Sequence, residues 1–168
     1  VNIDHQHEGV YSITSSCNPI RAPKFLKNIN TNIFINEVKD GEKQNAGSIR
    51  LTFFDIFSDK TKQFGFKAVF PSGKVLACLG DEPFNEKCRN FVQNCDYLMC
   101  EAFCLYSQKD IFKPYEKLAE SLFAKNLILY HTEDETLQTR KSTYASEART
   151  VFSGNIFVPD DFEVIDLK

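Results

Sequence analysis

The chain is poor in the residues that most often bind metals or cross-link small domains. Of its 168 residues only three are histidines, His5, His7 and His131, whereas a protein metal site normally needs three or four ligands. The six cysteines include no CxxC pair, so neither a zinc ribbon nor a thioredoxin-like redox motif is supported. We therefore expect reduced, mostly buried thiols and no disulfide, in line with a cytosolic setting.

Long apolar runs and an excess of positive charge are also missing. No stretch of about 18 apolar residues occurs that would span a membrane, and the N-terminus lacks the pattern of a secretory signal. The net charge of −3 gives no general attraction to nucleic acid or to an anionic membrane. We expect a cytoplasmic protein without a membrane partner. Any substrate that carries phosphate, including nucleic acid, would have to be held by local groups or by a metal.

The composition nevertheless indicates a folded core. Hydrophobic residues make up 42% of the chain and aromatic residues 13%, which argues against disorder. The sequence shows no internal repeat and no linker that would separate two folded units. We therefore predict one domain over residues 1–168.

The apolar pattern predicts a β-rich half followed by alternating strands and helices. Over residues 1–31 the pattern predicts a loop with one short secondary-structure element. The first half predicts a polar turn at 41–47, a hairpin turn at 71–74, and strands at 33–38, 49–57, 63–70 and 75–79. The second half predicts helices at 85–92, 114–123 and 132–149, and strands at 97–103, 127–130, 156–158 and 162–165. The predicted fold class is α/β, an antiparallel meander followed by strand-helix alternation.

Two apolar strands end abruptly on a potential metal ligand. The strand at 75–79 leads through Gly80 into Asp81, and the strand at 127–130 leads into His131. Because sites in layered α/β folds are built just past the carboxyl ends of strands, we expect Asp81 and His131 within about 8 Å of each other, sharing one metal cluster. A plain turn after Gly80, or an exposed histidine before a helix, would explain either residue alone.

Three further candidates come from the termini and from the strands. His5 and His7 can place both imidazoles on one side of an extended segment, although a polar terminus with two surface histidines explains them as well. Glu101 lies within an apolar strand and requires a partner if that strand is central. It is either a supporting acid of the site or a strand-edge carboxylate.

Basic and aromatic residues also alternate between residues 60 and 67. This segment contains three lysines and two phenylalanines, Lys60, Lys62, Phe64, Phe66 and Lys67. Such a mixture can bind phosphate and stack bases. Simple alternation on a half-buried strand produces the same pattern, and we favour that interpretation.

Four segments together resemble the metallo-β-lactamase-fold hydrolases of the ribonuclease Z type. They lie at 55–66, 79–83, 100–103 and 129–134, and the resemblance covers roughly residues 33–168. It implies an αβ/βα sandwich with a two-metal hydrolytic site, usually zinc but open to another divalent metal, that acts on a phosphodiester or other ester. It also implies that Asp81 bridges the metals, that His131 is a late ligand and that Glu101 supports the site.

The chain departs from that family's ligand pattern in three places. The family's His-x-His-x-Asp-His run has no match, since His5 and His7 are not followed by an Asp-His pair. Phe57 stands where relatives carry a histidine, and the histidine-bearing segment after the Glu-Ala strand is missing. Two explanations stay open. The 168 residues are a piece of a longer chain, and this piece lacks the N-terminal part of the fold, or the chain keeps the scaffold of the family without its chemistry.

These departures limit the function that we expect. Without core strands from the N-terminal part, the Phe-rich meander would expose apolar faces, which favours a longer chain or an obligate partner, with a homodimer as one form. We expect a metal-dependent hydrolase, and the alternative is a catalytically inactive binding or assembly subunit. With so few histidines, we expect at most one metal ion per chain and phosphodiesterase activity near background.

Overall fold

In the computed structural model, residues 10–15, 32–58, 62–80, 82, 84–102, 122–132, 138–150 and 152–167 are described. These parts contain a 3-10 helix at Glu86–Cys88 and two α-helices, α1 (Arg89–Val92) and α2 (Arg140–Arg149). They also contain the strands β1 (Val10–Ser15), β2 (Asn32–Glu37), β3 (Lys43–Ala46), β4 (Ile49–Asp55), β5 (Phe64–Val69), β6 (Val75–Cys78), β7 (Tyr97–Glu101), β8 (Asn126–Tyr130) and β9 (Asn155–Phe157).

Seven of the strands form one mixed sheet in the order β3-β4-β5-β6-β7-β8-β9. Neighbours from β3 to β6 are antiparallel, whereas β6 to β9 are parallel. Strands β1 and β2 pair in parallel as a separate two-stranded sheet. The α/β class and the change from meander to parallel strands are therefore confirmed. Within the described parts, no helix is both long and apolar enough to cross a lipid bilayer.

The core lies on one face of the parallel half of the sheet. Alternate residues of the parallel strands point to this face, and they pack against Val92 of α1 and against Tyr144 and Ala148 of α2. The cluster residues on the parallel strands β6 to β8 are Ala77, Leu98, Cys100, Leu127 and Leu129, and Phe54 of β4 extends the cluster; all are at most 1% exposed. This alternation follows from the two-residue period of a strand, which sends successive side chains to opposite faces.

Four of the described cysteines are buried and form no disulfide, Cys78, Cys88, Cys95 and Cys100. Burial raises the pKa of Cys88 and of Cys95 to about 11 and the pKa of Cys100 well above its usual value. The expectation of reduced, buried cysteines is confirmed for these four, and Cys17 and Cys104 lie outside the described residues.

Asp96 aligns the amino-terminal ends of the parallel strands. Its carboxylate accepts hydrogen bonds from the backbone N–H of Val75 at 2.9 Å and from Lys125 Nζ at 2.7 Å. Its carbonyl accepts from the backbone N–H and the side-chain amide of Asn126, at 3.0 and 2.8 Å. The Lys125 bond is the main cause that lowers the pKa of Asp96. Strands β6, β7 and β8 thus start level, and their carboxyl ends meet at the opposite edge.

Three of the element predictions are wrong in detail. The predicted polar turn at 41–47 contains β3, which pairs with β4 between two glycines of positive φ, Gly41 and Gly47. The predicted strand at 162–165 is a turn followed by irregular chain. There, Asp160 and Glu163 bind Lys141 at 2.9 and 2.5 Å.

The predicted long helix at 132–149 is also shorter at its start. Helix α2 begins at Arg140 after a turn at residues 138–139, and residues 133–137 lie outside the described parts. The predicted helix at 114–123 falls almost wholly on residues that are not described, and only Leu122 and Phe123 are seen, in a turn. The hairpin turn at 71–74 is confirmed, because the Phe70 N–H donates to the Lys74 carbonyl at 2.9 Å.

Candidate active site at the carboxyl edge of the sheet

Strand direction brings several candidate residues to one edge. Strand β4 is antiparallel to β5, and β5 is antiparallel to β6, so β4 runs in the same direction as β6 to β9. The residues that follow these strands therefore lie at a common boundary, the carboxyl edge. Those residues are Phe57, Gly80, Ala102, His131 and Val158.

The backbone reverses sharply at three of these positions. Phe57, Gly80 and His131 have φ values of 59°, 67° and 53°, in the left-handed region. That conformation costs a residue with a side chain about 1–2 kcal/mol, whereas glycine adopts it freely. The left-handed backbone explains why the strands end abruptly. It is also typical of positions where function rather than stability selects the conformation.

Glu101 and His131 form the central pair of the site. Glu101 is the last residue of β7 and is paired in register with Tyr130, directly before His131. Its Oε2 lies 3.8 Å from His131 Nδ1, an ion-pair distance longer than a hydrogen bond. The Glu101 side chain is 11% exposed and the His131 side chain 48%. A buried carboxylate thus stands beside a half-exposed imidazole, an arrangement that orients histidine ligands in metal sites.

Tyr130 links the end of β8 to the loop after β6. Its hydroxyl donates to the Gly80 carbonyl at 2.6 Å and lies 3.8 Å from Cys78 Sγ. Because β7 separates β6 from β8, this contact spans one whole strand. Sequence reasoning missed Tyr130, and its only signal was a polar hydroxyl at the end of an apolar strand.

A second link joins the loop after β4 to the loop after β6. Ser58 Oγ donates to Glu82 Oε1 at 2.7 Å. The backbone N–H of Phe57 is held by Asp55 Oδ1 at 2.8 Å. The Phe57 ring, 38% exposed, carries the Lys87 amine 4.5 Å from its centroid. An aromatic ring and an ammonium group thus lie where the resemblance implies a histidine.

The structure places only part of the predicted ligand set. Asp81, His5 and His7 lie outside the described residues, so the expected distance of about 8 Å between Asp81 and His131 stays a prediction. Gly80 and Glu82, on either side of Asp81, are described. Their contacts with Tyr130 and Ser58 bring them to the loops at the carboxyl edge.

The described residues do not complete a metal site by themselves. Among them, no three His, Cys, Asp or Glu side chains come close enough together to hold a metal ion. One imidazole and one adjacent carboxylate are fewer ligands than zinc requires. Any metal at this edge would therefore need ligands from outside the described residues, where the predicted ligands Asp81, His5 and His7 lie.

The basic and aromatic residues of the β5 region do not share one face. Phe66 faces the same side as Phe53, its register partner, whereas Lys67 points to the opposite side. Lys62 lies 5.4 Å from the Phe64 ring centroid and 3.6 Å from the Asp55 carboxylate. Lys60 lies outside the described residues. The predicted alternation is present, but Lys67 and Phe66 are not neighbours on one surface.

Comparison with known proteins identifies the fold. No family model and no curated protein sequence matches this chain. Among solved structures, the chain is similar to the metallo-β-lactamase fold protein YhfI from Bacillus subtilis, with 17% identity, a TM-score of 0.70 and coverage of 92% of this chain and 65% of that chain. It is also similar to a diphosphatase from the PhnP family, with 13% identity, a TM-score of 0.67 and coverage of 95% and 59%.

A third similar structure is Igni18, a metallo hydrolase from the hyperthermophilic archaeon Ignicoccus hospitalis KIN4/I, with 11% identity and a TM-score of 0.58. The match covers 86% of this chain and 73% of that chain. The present chain thus spans 65% and 59% of the lengths of YhfI and the PhnP-family protein. At these identities the likeness concerns the fold, and it agrees with the mixed sheet described above. The chain has the metallo-β-lactamase fold.

Proposed function

We propose that this chain is a metal-dependent hydrolase of the metallo-β-lactamase superfamily that acts on a phosphodiester or other ester. The observation that carries the proposal is the Glu101–His131 pair at the carboxyl edge, with 3.8 Å between Oε2 and Nδ1. The names of two similar structures, a diphosphatase and a metallo hydrolase, describe the same class of chemistry in those proteins. Within this class we propose a relation to ribonuclease Z, and this narrower assignment rests on the motif resemblance.

Each candidate residue has a proposed role. His131 is the metal ligand, and Glu101 is a positioning residue that attracts Nδ1 and leaves Nε2 for the metal. Asp81 is the proposed second ligand, and His5 and His7 are the proposed remaining imidazoles. Zinc, or another divalent metal, would act as a Lewis acid there and would lower the pKa of a bound water to about 7.

Metal analysis and phosphodiesterase kinetics test the proposal. We expect at most one zinc ion per chain and slow hydrolysis of bis(p-nitrophenyl) phosphate, close to background, because so few histidines are present. The bound metal, and any hydrolysis above background, should be lost in His131→Ala and in Asp81→Ala. Lys125→Gln, at the opposite edge of the sheet, is the matched control and should change neither. Two tightly bound ions that depend on His131 would show a fuller site than we expect.

The second candidate function is a catalytically inactive binding or assembly subunit with the same fold. Phe57 at the carboxyl edge favours it, as does the lack of a three-ligand cluster among the described residues. Wild-type protein that binds no metal under any loading condition would favour this subunit over the hydrolase.

A homodimer and a cytoplasmic location also stay proposals, and sedimentation equilibrium tests the first of them.

A further inference from the structure

A groove of about 510 Å³ lies on the antiparallel half of the sheet, away from the carboxyl edge. Its walls come from β3, β4, β5 and α1. Arg50 lies near the start of β4, whereas Phe57 of the candidate site follows its end. Its polar lining includes Lys43, Arg50, Thr52, Lys67 and Asn90. We call this feature the basic groove, and its volume is in the range of small-molecule sites.

Strand register places three cations of the groove on one face. Lys43 pairs with Thr52, and Thr52 pairs with Lys67, so these residues form one row across three strands. Arg50 lies two residues before Thr52 on β4 and therefore on the same face. It is the diagonal neighbour of both lysines, at a distance of about 7–8 Å. The three cationic residues thus lie on one face of three neighbouring strands.

These cations lack the carboxylate partners that other cations of the fold have. None of the lining residues is acidic, and in the described parts of the chain neither Lys43, Arg50 nor Lys67 forms an ion pair. Like charges at this spacing repel each other, and a bound anion relieves that repulsion.

We propose that the basic groove binds a ligand with two or more phosphate groups. Arg50 offers a planar fork that binds two phosphate oxygens at once, and the lysines on either side add ammonium donors. The Thr52 hydroxyl and the Asn90 amide line the same space. Free polyphosphate and a nucleic-acid backbone both supply this chemistry. The inference does not depend on the proposed hydrolase function.

Binding measurements on paired double variants test the groove. Inorganic pyrophosphate is titrated by calorimetry, and a single-stranded RNA 12-mer by fluorescence anisotropy, both with EDTA present so that no metal site contributes. Arg50→Gln with Lys67→Gln should weaken binding by about 100-fold, since each lost charged contact costs about tenfold or more. Lys141→Gln with Arg149→Gln removes the same charge from helix α2, outside the groove, and should change affinity less than about twofold.

The two ligands also identify the source of the phosphate. Binding of pyrophosphate alone supports a small polyphosphate ligand, whereas binding of the RNA with a salt dependence that falls in the groove variant supports a nucleic-acid backbone. If the double variant fails to fold, Lys43→Gln on the exposed edge strand replaces it, with an expected loss of about tenfold. Absence of binding to both probes at physiological salt, or an equal loss in both double variants, would overturn the proposal.

Discussion

At the scale of single residues, the Tyr130 hydroxyl is the clearest structural link of the candidate site. Removal of this group in Tyr130→Phe leaves the Gly80 carbonyl without its 2.6 Å donor. We expect the free energy of unfolding to fall by about 1 kcal/mol, measured by urea denaturation. Ser146→Ala is the control, because this exposed hydroxyl bonds only within its own helix, and its effect should stay within about 0.5 kcal/mol. An equal effect of both variants would contradict a special role for Tyr130.

The buried thiols give a second prediction at this scale. Because burial raises the pKa of Cys88 and Cys95 to about 11, less than about 1% of either is thiolate at pH 8, and thiolate is the reactive form. We expect Cys78, Cys88, Cys95 and Cys100 to resist labelling in the native protein. All six cysteines should react under denaturing, non-reducing conditions, and two or more blocked thiols would show that a disulfide is present.

At the scale of elements, strand β5 lies between β4 and β6, and there is no room for a side chain at its Gly65. A Cβ there would lie 2.5 Å from the Cys78 carbonyl oxygen and 2.7 Å from the Phe54 ring. We expect Gly65→Ala to lower the free energy of unfolding by about 2–4 kcal/mol. Gly47→Ala has free space but a φ of 59°, so it should cost about 1–2 kcal/mol through its backbone alone. Thermal and urea unfolding of the pair separates the two causes.

The alignment of β6, β7 and β8 by Asp96 should depend on pH. The pKa of Asp96 is lowered in the folded protein, mainly by Lys125, so its carboxylate stabilises the fold above the unfolded value of about 3.9. This stability is lost as the pH falls through the lower, folded pKa. Asp96→Asn should therefore cost about 1–2 kcal/mol at pH 7 and progressively less below about pH 4. Asp160→Asn, in an exposed ion pair, should change stability less, and a pH-independent effect of Asp96→Asn would contradict the argument.

The elements that the sequence predicts are those with a strong local pattern. Strands β4 to β8 have continuous or alternating apolar residues, so their positions follow from the sequence. Strand β3 does not, because Lys43–Ala46 is polar and mostly exposed, and only its pairing with β4 defines it. The opposite error arises at 162–165, where the apolar Phe162 and Val164 suggest a strand but are almost fully exposed.

The candidate site shows the same division between local and distant information. Glu101 and His131 could be found because each ends a recognisable strand, and parallel strands bring their ends together. The Tyr130–Gly80 contact joins residues fifty positions apart, and the Ser58–Glu82 contact joins residues 24 positions apart. No sequence period encodes such contacts, since they depend on the lengths and paths of the connecting loops.

At the scale of the whole molecule, a net charge of −3 conceals a strongly uneven distribution of charge. The described part of the carboxyl edge combines the acids Glu101, Glu82 and Asp55 with the cations Lys62 and Lys87. The lining of the basic groove, at the other half of the sheet, contains three cations and no acid. A polyanion is therefore attracted to one half of the sheet although the protein as a whole is acidic. Total charge alone excludes general attraction, but it does not exclude such a local site.

The order of the strands also predicts which parts of the structure form first during folding. The connections between consecutive strands from β3 to β6 are at most eight residues long, whereas the register partners Tyr97 and Asn126 are 29 positions apart in the chain. Because closing a longer loop costs more entropy, the meander should form first during folding, and the pairing of β7 with β8 should follow. The candidate active site lies at the ends of β6, β7 and β8, so it is completed late. A nascent or refolding chain would then bring together the three cations of the basic groove before it brings together Glu101 and His131.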